Sequence, residues 1–127
     1  MDPKELVDRA AAARENAYAP YSGYPVGAAV QTASGAVYTG CNVENASSGL
    51  TVCAERTAIQ RAVSQGDREI TALAVVTKDG APPCGACRQV LQEFAKDAEV
   101  FLADANGAIE ETTLGELLPS PFTRRDP

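Results

Sequence analysis

With 127 residues, 45% of them hydrophobic, the chain can form one compact core but not two, so we expect a single domain over residues 1–127. Its net charge of −6 and the lack of a Lys/Arg run offer no attraction to a phosphate backbone, so long nucleic acid is not an expected partner. No apolar run could span a bilayer and the N-terminal segment lacks signal-peptide features, so we expect no membrane partner and a cytoplasmic protein whose thiols stay reduced.

The first half of the sequence predicts a helix, a loop, a β-hairpin and a second helix. Asp2 is the expected N-cap of the first helix, which has Pro3 at its first position and runs to about Tyr18. The segment "YAPYSGYP" predicts an ordered loop. The runs "VGAAVQT" and "AVYTGCNV" flank "ASG" and predict an antiparallel hairpin. Thr51 is the expected cap of a helix over about residues 52–64.

The second half predicts three more strands and two more helices. The apolar run "ITALAVVTK" is typical of a strand covered on both faces, "CGACRQVLQEFAKD" has a helical period, and "EVFLAD" is a strand. Asn106-Gly107 predicts a tight turn into another short strand, which makes the last two strands antiparallel. Thr113 and Glu116 form a capping box for a short helix, and the tail from Pro119 should lie across the surface. The order α-β-β-α-β-α-β-β plus a final short helix predicts an α/β sandwich with one mixed sheet.

Cysteine placement is the main chemical signal. The C-x-x-C of Cys84 and Cys87 alone is compatible with a redox pair, half of a metal site, or two small buried residues. It lies too late in the chain for a thioredoxin-like dithiol, and Cys53 also begins a predicted helix. Helix N-termini lower thiol pKa values and favour metal-binding thiolates, and three ligands with one open position are typical of catalytic zinc. Cys41, at a strand end, is interpreted as a small apolar residue; as a fourth ligand it would make the site structural.

Glu55 follows Cys53 by two residues and suggests a proton carrier. The chain contains no histidine, so a general acid or base must be Glu, Asp, Lys, Tyr or Cys. A carboxylate beside a metal-bound water can take its proton and deliver it elsewhere. Taken alone, Glu55 would be an exposed first-turn residue stabilised by the helix dipole; the three cysteines favour the catalytic interpretation.

The motif "CAE", followed 31 residues after Cys53 by the first cysteine of "PCGAC", resembles the zinc signature of the cytidine deaminase superfamily in its three-cysteine form. The runs "YAPYSGYPVGAAV", "GCNVENAS", "PCGACRQVLQEF" and "LGELLP" resemble, in order, the small free-nucleoside cytidine deaminases over nearly the whole chain. The resemblance implies a three-layer α-β-α sandwich around a mixed five-stranded sheet. It also implies one Zn²⁺ per chain and a homotetramer with active sites shared between subunits.

The resemblance further implies a reaction and a role for each cluster residue. Cys53, Cys84 and Cys87 hold Zn²⁺, which activates the water that attacks C4 of cytosine. Glu55 carries protons to N3 and to the departing amino group, so that cytidine or 2′-deoxycytidine becomes uridine or 2′-deoxyuridine and ammonia leaves, as in pyrimidine salvage. Three thiolates leave the metal site with about one net negative charge, which hydrogen bonds from Arg56 to the sulfurs would reduce. Otherwise Arg56 would be a solvated surface residue.

Substrate contacts are implied at matching positions. Asn42 and Glu44, two apart on an extended segment and so pointing the same way, resemble the residues that bind the ribose hydroxyls. The backbone of Ala54 should contact the base, Tyr24 should lie beside it, and Phe122 of a neighbouring subunit should pack over it.

Two positions depart from the family pattern. Tyr24 replaces a common Phe and Ser48 replaces a common Tyr, which suggests a roomier or more polar pocket that accepts N4-substituted cytosine nucleosides. An alternative activity is therefore on modified cytosine nucleosides, including antibiotics of the blasticidin type, although "NVEN" favours a ribose. Polynucleotide and tRNA-editing deaminases tend to have parallel last strands, against the hairpin predicted at Asn106-Gly107. A structural zinc module or an inactive relative would not need Glu55 beside an open three-ligand site.

Overall fold

The computed structural model describes residues 1–124, in which helices and strands follow the predicted order. The helices are α1 (Pro3–Arg14), α2 (Ala54–Ser64), α3 (Gly85–Phe94) and α4 (Leu114–Leu117), and the strands are β1 (Gly27–Thr32), β2 (Val37–Cys41), β3 (Ile70–Val76), β4 (Glu99–Ala103) and β5 (Ile109–Thr113). A single 3₁₀ turn, Ser48–Leu50, precedes α2 in this described part of the chain.

The five strands form one mixed sheet in the order β2-β1-β3-β4-β5. β3 and β4 are parallel and the other neighbours are antiparallel. The predicted final hairpin is confirmed. Its turn is closed by the N–H of Gly107, which donates to the carbonyl of Asp104 at 3.2 Å. Gly107 has a φ of +90°, a left-handed conformation that glycine adopts without steric cost.

Helices cover both faces of the sheet, which confirms the predicted three-layer sandwich. Because successive strand residues point to opposite faces, Ala28 and Ala29 of β1 belong to different cores. One core lies between the sheet and α1, and the other lies between the sheet and α2, α3 and α4. Strand β3 contributes to both cores, through Ala74 on one face and Leu73 on the other, as its continuous apolar run predicted.

Gly40 in β2 sets how closely α2 packs on the sheet. A Cβ atom at this position would lie 2.6 Å from the backbone nitrogen of Ala58 and 2.8 Å from the carbonyl oxygen of Ala54. Both atoms belong to the α2 backbone, which therefore approaches the strand more closely than any side chain would allow. This contact positions the N-terminus of α2, where the site begins.

Two predicted helix boundaries are wrong for the same reason. Helix α1 ends at Arg14 and not near Tyr18, because the Tyr18 backbone pairs with the segment that continues β2: its N–H donates to the carbonyl of Asn42 at 3.0 Å. Helix α2 begins at Ala54 because Val52 forms an antiparallel bridge with Val43. The N-cap is therefore Cys53.

Thr51, the predicted cap of α2, instead has a role in the preceding loop. Its hydroxyl accepts a hydrogen bond from the Asn45 N–H at 3.1 Å. The loop that carries Asn45 is thus closed before the helix begins, and the capping position passes to Cys53.

The C-terminal elements differ from the predictions in detail. Helix α3 ends at Phe94, three residues early, because Ala95 adopts an extended conformation. The Thr113 hydroxyl accepts from the Glu116 N–H as predicted, but the Glu116 carboxylate accepts from the Thr112 hydroxyl, so only half of the capping box forms. The tail lies along α3, where the Gln89 side chain donates to the carbonyl of Phe122, and residues 125–127 lie outside the described range.

Candidate active site

Three free thiols meet where α2 and α3 begin. Cys53 is the N-cap of α2, Cys84 is the N-cap of α3, and Cys87 lies in the first turn of α3. Their sulfur atoms lie within 4.8 Å of one another, at 3.3 Å between Cys84 and Cys87 and 4.0 Å between Cys53 and Cys84. Sulfur ligands on a tetrahedral zinc ion, with bonds of about 2.3 Å, are about 3.8 Å apart. The spacing and the donor chemistry fit zinc.

Cys41 lies outside this cluster. It ends β2, where it is paired with Gly27 of β1. Across residues 1–124, the cysteine trio is the one group of three potential ligand side chains close enough to hold a metal ion. Three protein ligands leave a fourth tetrahedral position for another ligand, as in catalytic rather than structural zinc sites.

Arg56 lies against the thiols. Its Nη2 donates to the Cys53 sulfur at 3.3 Å, and its Nε is buried with no hydrogen-bond partner in the described residues. A hydrogen bond from the Cys87 thiol, with help from the Arg56 guanidinium, lowers the pKa of the Cys53 thiol. The hydrogen bond to Cys53, together with burial, raises the pKa of Cys87. The site therefore stabilises negative charge on Cys53.

Glu55 is buried although it occupies the first turn of a helix. It is the second residue of α2 and only 5% exposed. Burial, and to a lesser degree the negative charge on Cys53, raises the pKa of the Glu55 carboxyl to about 7. A carboxyl group with this pKa can both accept and donate a proton near neutral pH. This environment differs from that of an exposed carboxylate which only complements the helix dipole.

The cluster opens into a cavity of about 400 Å³, within the range of small-molecule sites. Its wall combines the thiols and carboxyl group with polar and apolar residues from the neighbouring loops. The lining residues are Ser22, Tyr24, Val26, Asn42, Glu44, Thr51, Cys53, Ala54, Glu55, Val75, Thr77, Ala81, Pro82 and Cys84.

Asn42 and Glu44 line this cavity and also hold its loop wall. The Asn42 amide accepts from the Val26 N–H at 2.9 Å and donates to the carbonyl of Tyr24 at 3.0 Å. The Glu44 carboxylate accepts from the N–H groups of Tyr21 and Ser22 and from the Ser22 hydroxyl. The Ser22 hydroxyl and these N–H groups lower the pKa of Glu44, which favours the carboxylate. No sequence pattern predicted this second role.

The other predicted contact residues divide into two groups. Ala54, which is fully buried, and Tyr24 line the cavity. Phe122 does not line it: its side chain is 73% exposed, and its carbonyl is bound by Gln89 of α3. The structure therefore brings nine of the ten predicted site residues, Arg56 included, to the cluster or its cavity, and leaves Phe122 outside.

Several lining residues were not predicted. Thr77 follows β3 directly, and Ala81 and Pro82 lie on the loop from β3 to α3. The available signal was topological, because ligand sites in α/β sheets lie beyond the carboxyl ends of parallel strands. Ser22 and Thr51 lie on loops that side-chain hydrogen bonds close, from Ser22 to Glu44 and from the Asn45 N–H to Thr51.

Ser48 lines a second cavity, of about 540 Å³, and does not line the one that contains the thiols. The two cavities share Ser22, Glu44 and Thr51. The space beside Ser48 therefore adjoins the Glu44 end of the site. It adds no room beside the cysteines, which is where the hypothesis of N4-substituted substrates required it.

The mixed sheet, the three thiols at two helix N-termini and the buried carboxyl group together match the zinc-dependent deaminase class of α/β enzymes. The chain belongs to the cytidine and deoxycytidylate deaminase family: the family model described as the cytidine and deoxycytidylate deaminase zinc-binding region matches residues 1–103.

Individual relatives extend this match to nearly the full chain. The cytidine deaminase of Halalkalibacterium halodurans is 52% identical, over 99% of this chain and 98% of the relative. A crystal structure of cytidine deaminase from Burkholderia pseudomallei matches with a TM-score of 0.92 at 50% identity, covering 96% of this chain and all of that one. The blasticidin-S deaminase of Bacillus cereus is more distant, at 34% identity over 78% of this chain and 77% of the relative.

None of the helices within residues 1–124 combines the length and the apolar character needed to cross a membrane.

Proposed function

We propose that this chain is a single-domain, zinc-dependent enzyme that hydrolyses cytidine and 2′-deoxycytidine to uridine and 2′-deoxyuridine with release of ammonia. The observation that carries the proposal is the buried carboxyl group of Glu55 beside three converging thiols in a cavity of about 400 Å³. Membership of the deaminase family supports the same activity.

Cys53, Cys84 and Cys87 would hold one Zn²⁺ per chain. When bound, zinc supplies a Lewis acid that makes a water molecule nucleophilic at neutral pH. Arg56 reduces the negative charge on the ligand sulfurs, as its 3.3 Å hydrogen bond to Cys53 indicates. The N-termini of α2 and α3 act in the same direction through their dipoles.

Glu55 is the proposed proton carrier. Water adds to C4 of the cytosine ring, the C4–N4 bond breaks, and the amino group leaves as ammonia while C4 becomes a carbonyl carbon. Glu55 takes one proton from the water and delivers it to N3, and it then carries the proton of the resulting C4 hydroxyl to the leaving nitrogen. Its pKa of about 7 suits a group that must both accept and donate.

The two ends of the cavity suggest the orientation of the nucleoside. The reacting carbon must face the thiols and Glu55, so the sugar extends toward Asn42 and Glu44. Both side chains retain hydrogen-bonding capacity: the Asn42 amide has a second N–H, and the Glu44 carboxylate accepts three of about four possible bonds. The backbone of Ala54 and the ring of Tyr24 are the proposed contacts of the base.

Assembly into a homotetramer would complete the site. Phe122 is 73% exposed and does not line the cavity of its own chain, which is compatible with a contact to the base in a neighbouring subunit. Tyr21, Val43 and Leu50 are also large exposed apolar residues, as expected of a surface that another subunit covers. Because the thiols must stay reduced to bind metal, we place the enzyme in the cytoplasm.

Metal analysis combined with a spectroscopic assay tests the activity. Purified protein mixed with cytidine should lose cytosine ultraviolet absorbance. Glu55→Ala should retain one zinc per chain and lose about 10²- to 10⁴-fold in rate, the usual contribution of a general acid–base residue. Glu93→Ala, which removes an exposed glutamate of α3, is the matched control and should keep its rate. Native protein that binds zinc but leaves cytidine, deoxycytidine and their analogues unchanged would refute the function and not the metal site.

Complementation tests the shared site. Phe122→Ala and Glu55→Ala subunits, each impaired alone, should recover activity when mixed and reassembled, because a site with Glu55 from one subunit then receives Phe122 from the other. If Phe122 acts within its own chain, no mixture can recover activity.

Among alternative substrates, N4-substituted and blasticidin-type nucleosides are less well supported. The cavity beside Ser48 adjoins Glu44 and not the thiols. Asn42 and Glu44, which both line the main cavity, can hydrogen-bond the hydroxyl groups of a ribose. The antiparallel β4–β5 hairpin also differs from the parallel arrangement expected of polynucleotide deaminases, so we propose a free nucleoside and no nucleic acid polymer as the substrate.

A further inference from the structure

Two loops that line the cavity are joined by a hydrogen bond between Tyr24 and Asp79. The Tyr24 hydroxyl donates to Asp79 Oδ1 across 55 positions of sequence. The Lys78 ammonium lies 5.5 Å from the centre of the same ring, within the range of a cation–π interaction. The tyrosine therefore has two partners on the loop that leads from β3 to Cys84.

Asp79 itself is held by a turn built on Thr77. The Thr77 hydroxyl, on a residue only 2% exposed, donates to Asp79 Oδ1 at 3.2 Å and accepts from the N–H groups of Gly80 and Ala81 at 2.8 and 3.0 Å. Gly80 has a φ of +75°, which favours glycine there. The acceptor of the Tyr24 hydroxyl is thus part of an ordered turn at the end of β3.

Tyr24 belongs to the cavity wall, but the acceptor of its hydroxyl does not. Tyr24 and Thr77 line the cavity, whereas Asp79 and Lys78 do not. The Tyr24 hydroxyl is therefore bonded to an exposed residue outside the cavity lining, while Tyr24 itself forms part of the wall. The backbone of Tyr24 is fixed as well, since its carbonyl accepts from Asn42 and its N–H donates to Ser22.

We propose that Asp79 is a positioning residue for substrate binding, which acts through the Tyr24 hydroxyl to hold the tyrosine ring as a fixed wall against the cytosine base. This inference rests on the proposed function. It assigns a role to a residue outside the cavity, and it gives the Tyr24 hydroxyl a structural task in place of a contact with the base.

The expected effect is on KM rather than kcat. A fixed wall contacts the base equally in the ground state and the transition state, and loss of such uniform binding raises KM without lowering kcat. We expect Tyr24→Phe and Asp79→Ala each to raise the KM for cytidine at least about threefold, with kcat within about twofold of native. Both variants remove the Tyr24–Asp79 bond, and Asp79→Ala also removes the acceptor of the Thr77 hydroxyl, so the double variant should resemble Asp79→Ala alone. Asp79→Asn, which keeps an oxygen acceptor, should restore a KM closer to native.

A second tyrosine–aspartate pair in the same chain provides the control. The Tyr38 hydroxyl donates to Asp67 Oδ2 at 2.6 Å, and neither residue lines the cavity. Tyr38→Phe and Asp67→Ala remove an equivalent bond and should leave the KM for cytidine unchanged. A role in stability alone would affect melting temperatures in both pairs and KM in neither.

Steady-state kinetics of the full chain with cytidine decides between the outcomes. If native protein deaminates cytidine and the Tyr24 and Asp79 variants keep the native KM, the positioning role is wrong and the proposed function stands. Additive effects of the two substitutions would also overturn the role, because the residues would then act separately. Native protein without cytidine turnover would overturn the proposed function, and this inference with it.

Discussion

Replacing Gly40 by alanine should separate the two halves of the metal centre. The added Cβ would lie 2.6 Å from the Ala58 nitrogen, where ordinary contact begins at 3.4 Å. The neighbouring atoms belong to the backbone of α2, so relief requires the helix to move by roughly 0.8 Å, the difference between those two distances. Helix α2 carries Cys53, whereas Cys84 and Cys87 belong to α3, so this movement shifts one thiol relative to the other two.

The expected cost follows from overpacking at a buried contact, which typically destabilises a protein by about 1–3 kcal/mol. For 127 residues, an unfolding entropy of about 2.1 cal/mol/K per residue gives about 0.27 kcal/mol/K, so a loss of about 2 kcal/mol lowers the melting temperature by about 7 °C. Displacement of catalytic groups by a large part of an ångström should also reduce cytidine turnover about tenfold or more.

Thermal unfolding at one fixed protein concentration, zinc analysis and cytidine turnover measure these effects. Gly49→Ala is the matched control, because its Cβ would meet nothing within 4 Å, and it should melt within about 2 °C of native, as surface substitutions usually do. Gly40→Ala that melts with the control and keeps full zinc and turnover would refute the reasoning, since the strand would then have absorbed the methyl group without moving α2.

Three further predictions concern single side chains. Cys87→Ser should reduce bound zinc below about one ion per ten chains, because it weakens one of only three protein ligands. Cys41→Ser should retain its zinc. Metal analysis after dialysis checks both variants, and equal loss of zinc would implicate Cys41 as a ligand. Arg56→Gln should release zinc to a chelator about 10- to 100-fold faster, because the Cys53 sulfur loses the partner that orients it and lowers its pKa, so that protonation competes better with the metal; unchanged release would contradict this role of Arg56. Asn42→Ala should lower the free energy of unfolding in urea by about 1–3 kcal/mol, because the Val26 N–H loses its acceptor. It should also raise the KM for cytidine. A native free energy of unfolding would exclude a role of Asn42 in holding the loop.

Local sequence patterns predicted the order of helices and strands correctly. The exact boundaries of α1 and α2 were predicted wrongly, because they depend on backbone pairing with another segment of the chain. The apolar run of β3 and the glycine turn at Gly107 are encoded within a few residues, and both appear as expected. The ends of α1 and α2 depend instead on backbone pairs of Tyr18 and Val52 with the segment after β2. Those pairs join positions far apart in sequence, which helical periodicity cannot reveal.

The sequence predicted the residues at the centre of the candidate site but not every residue that supports them. Cysteine spacing and the position of Glu55 were sufficient to nominate the residues that converge at the two helix N-termini. The link to Asp79 was missed because its partner lies 55 positions away, and no local motif marks it. The contact of Phe122 with the base was predicted only from the family resemblance, and Phe122 lies outside the cavity of its own chain.

The double engagement of Asn42 and Glu44 constrains how this enzyme could change its substrate range. Both residues hold the loop wall by hydrogen bonds and line the end of the cavity proposed for the sugar. A substitution that altered sugar preference would therefore also remove hydrogen bonds that hold this wall. Ser48 takes no part in these hydrogen bonds and lines the adjoining cavity. A substitution there can change recognition without removing the bonds that hold the loop wall. New specificity should therefore arise more readily at Ser48 than at the two residues proposed to bind the sugar.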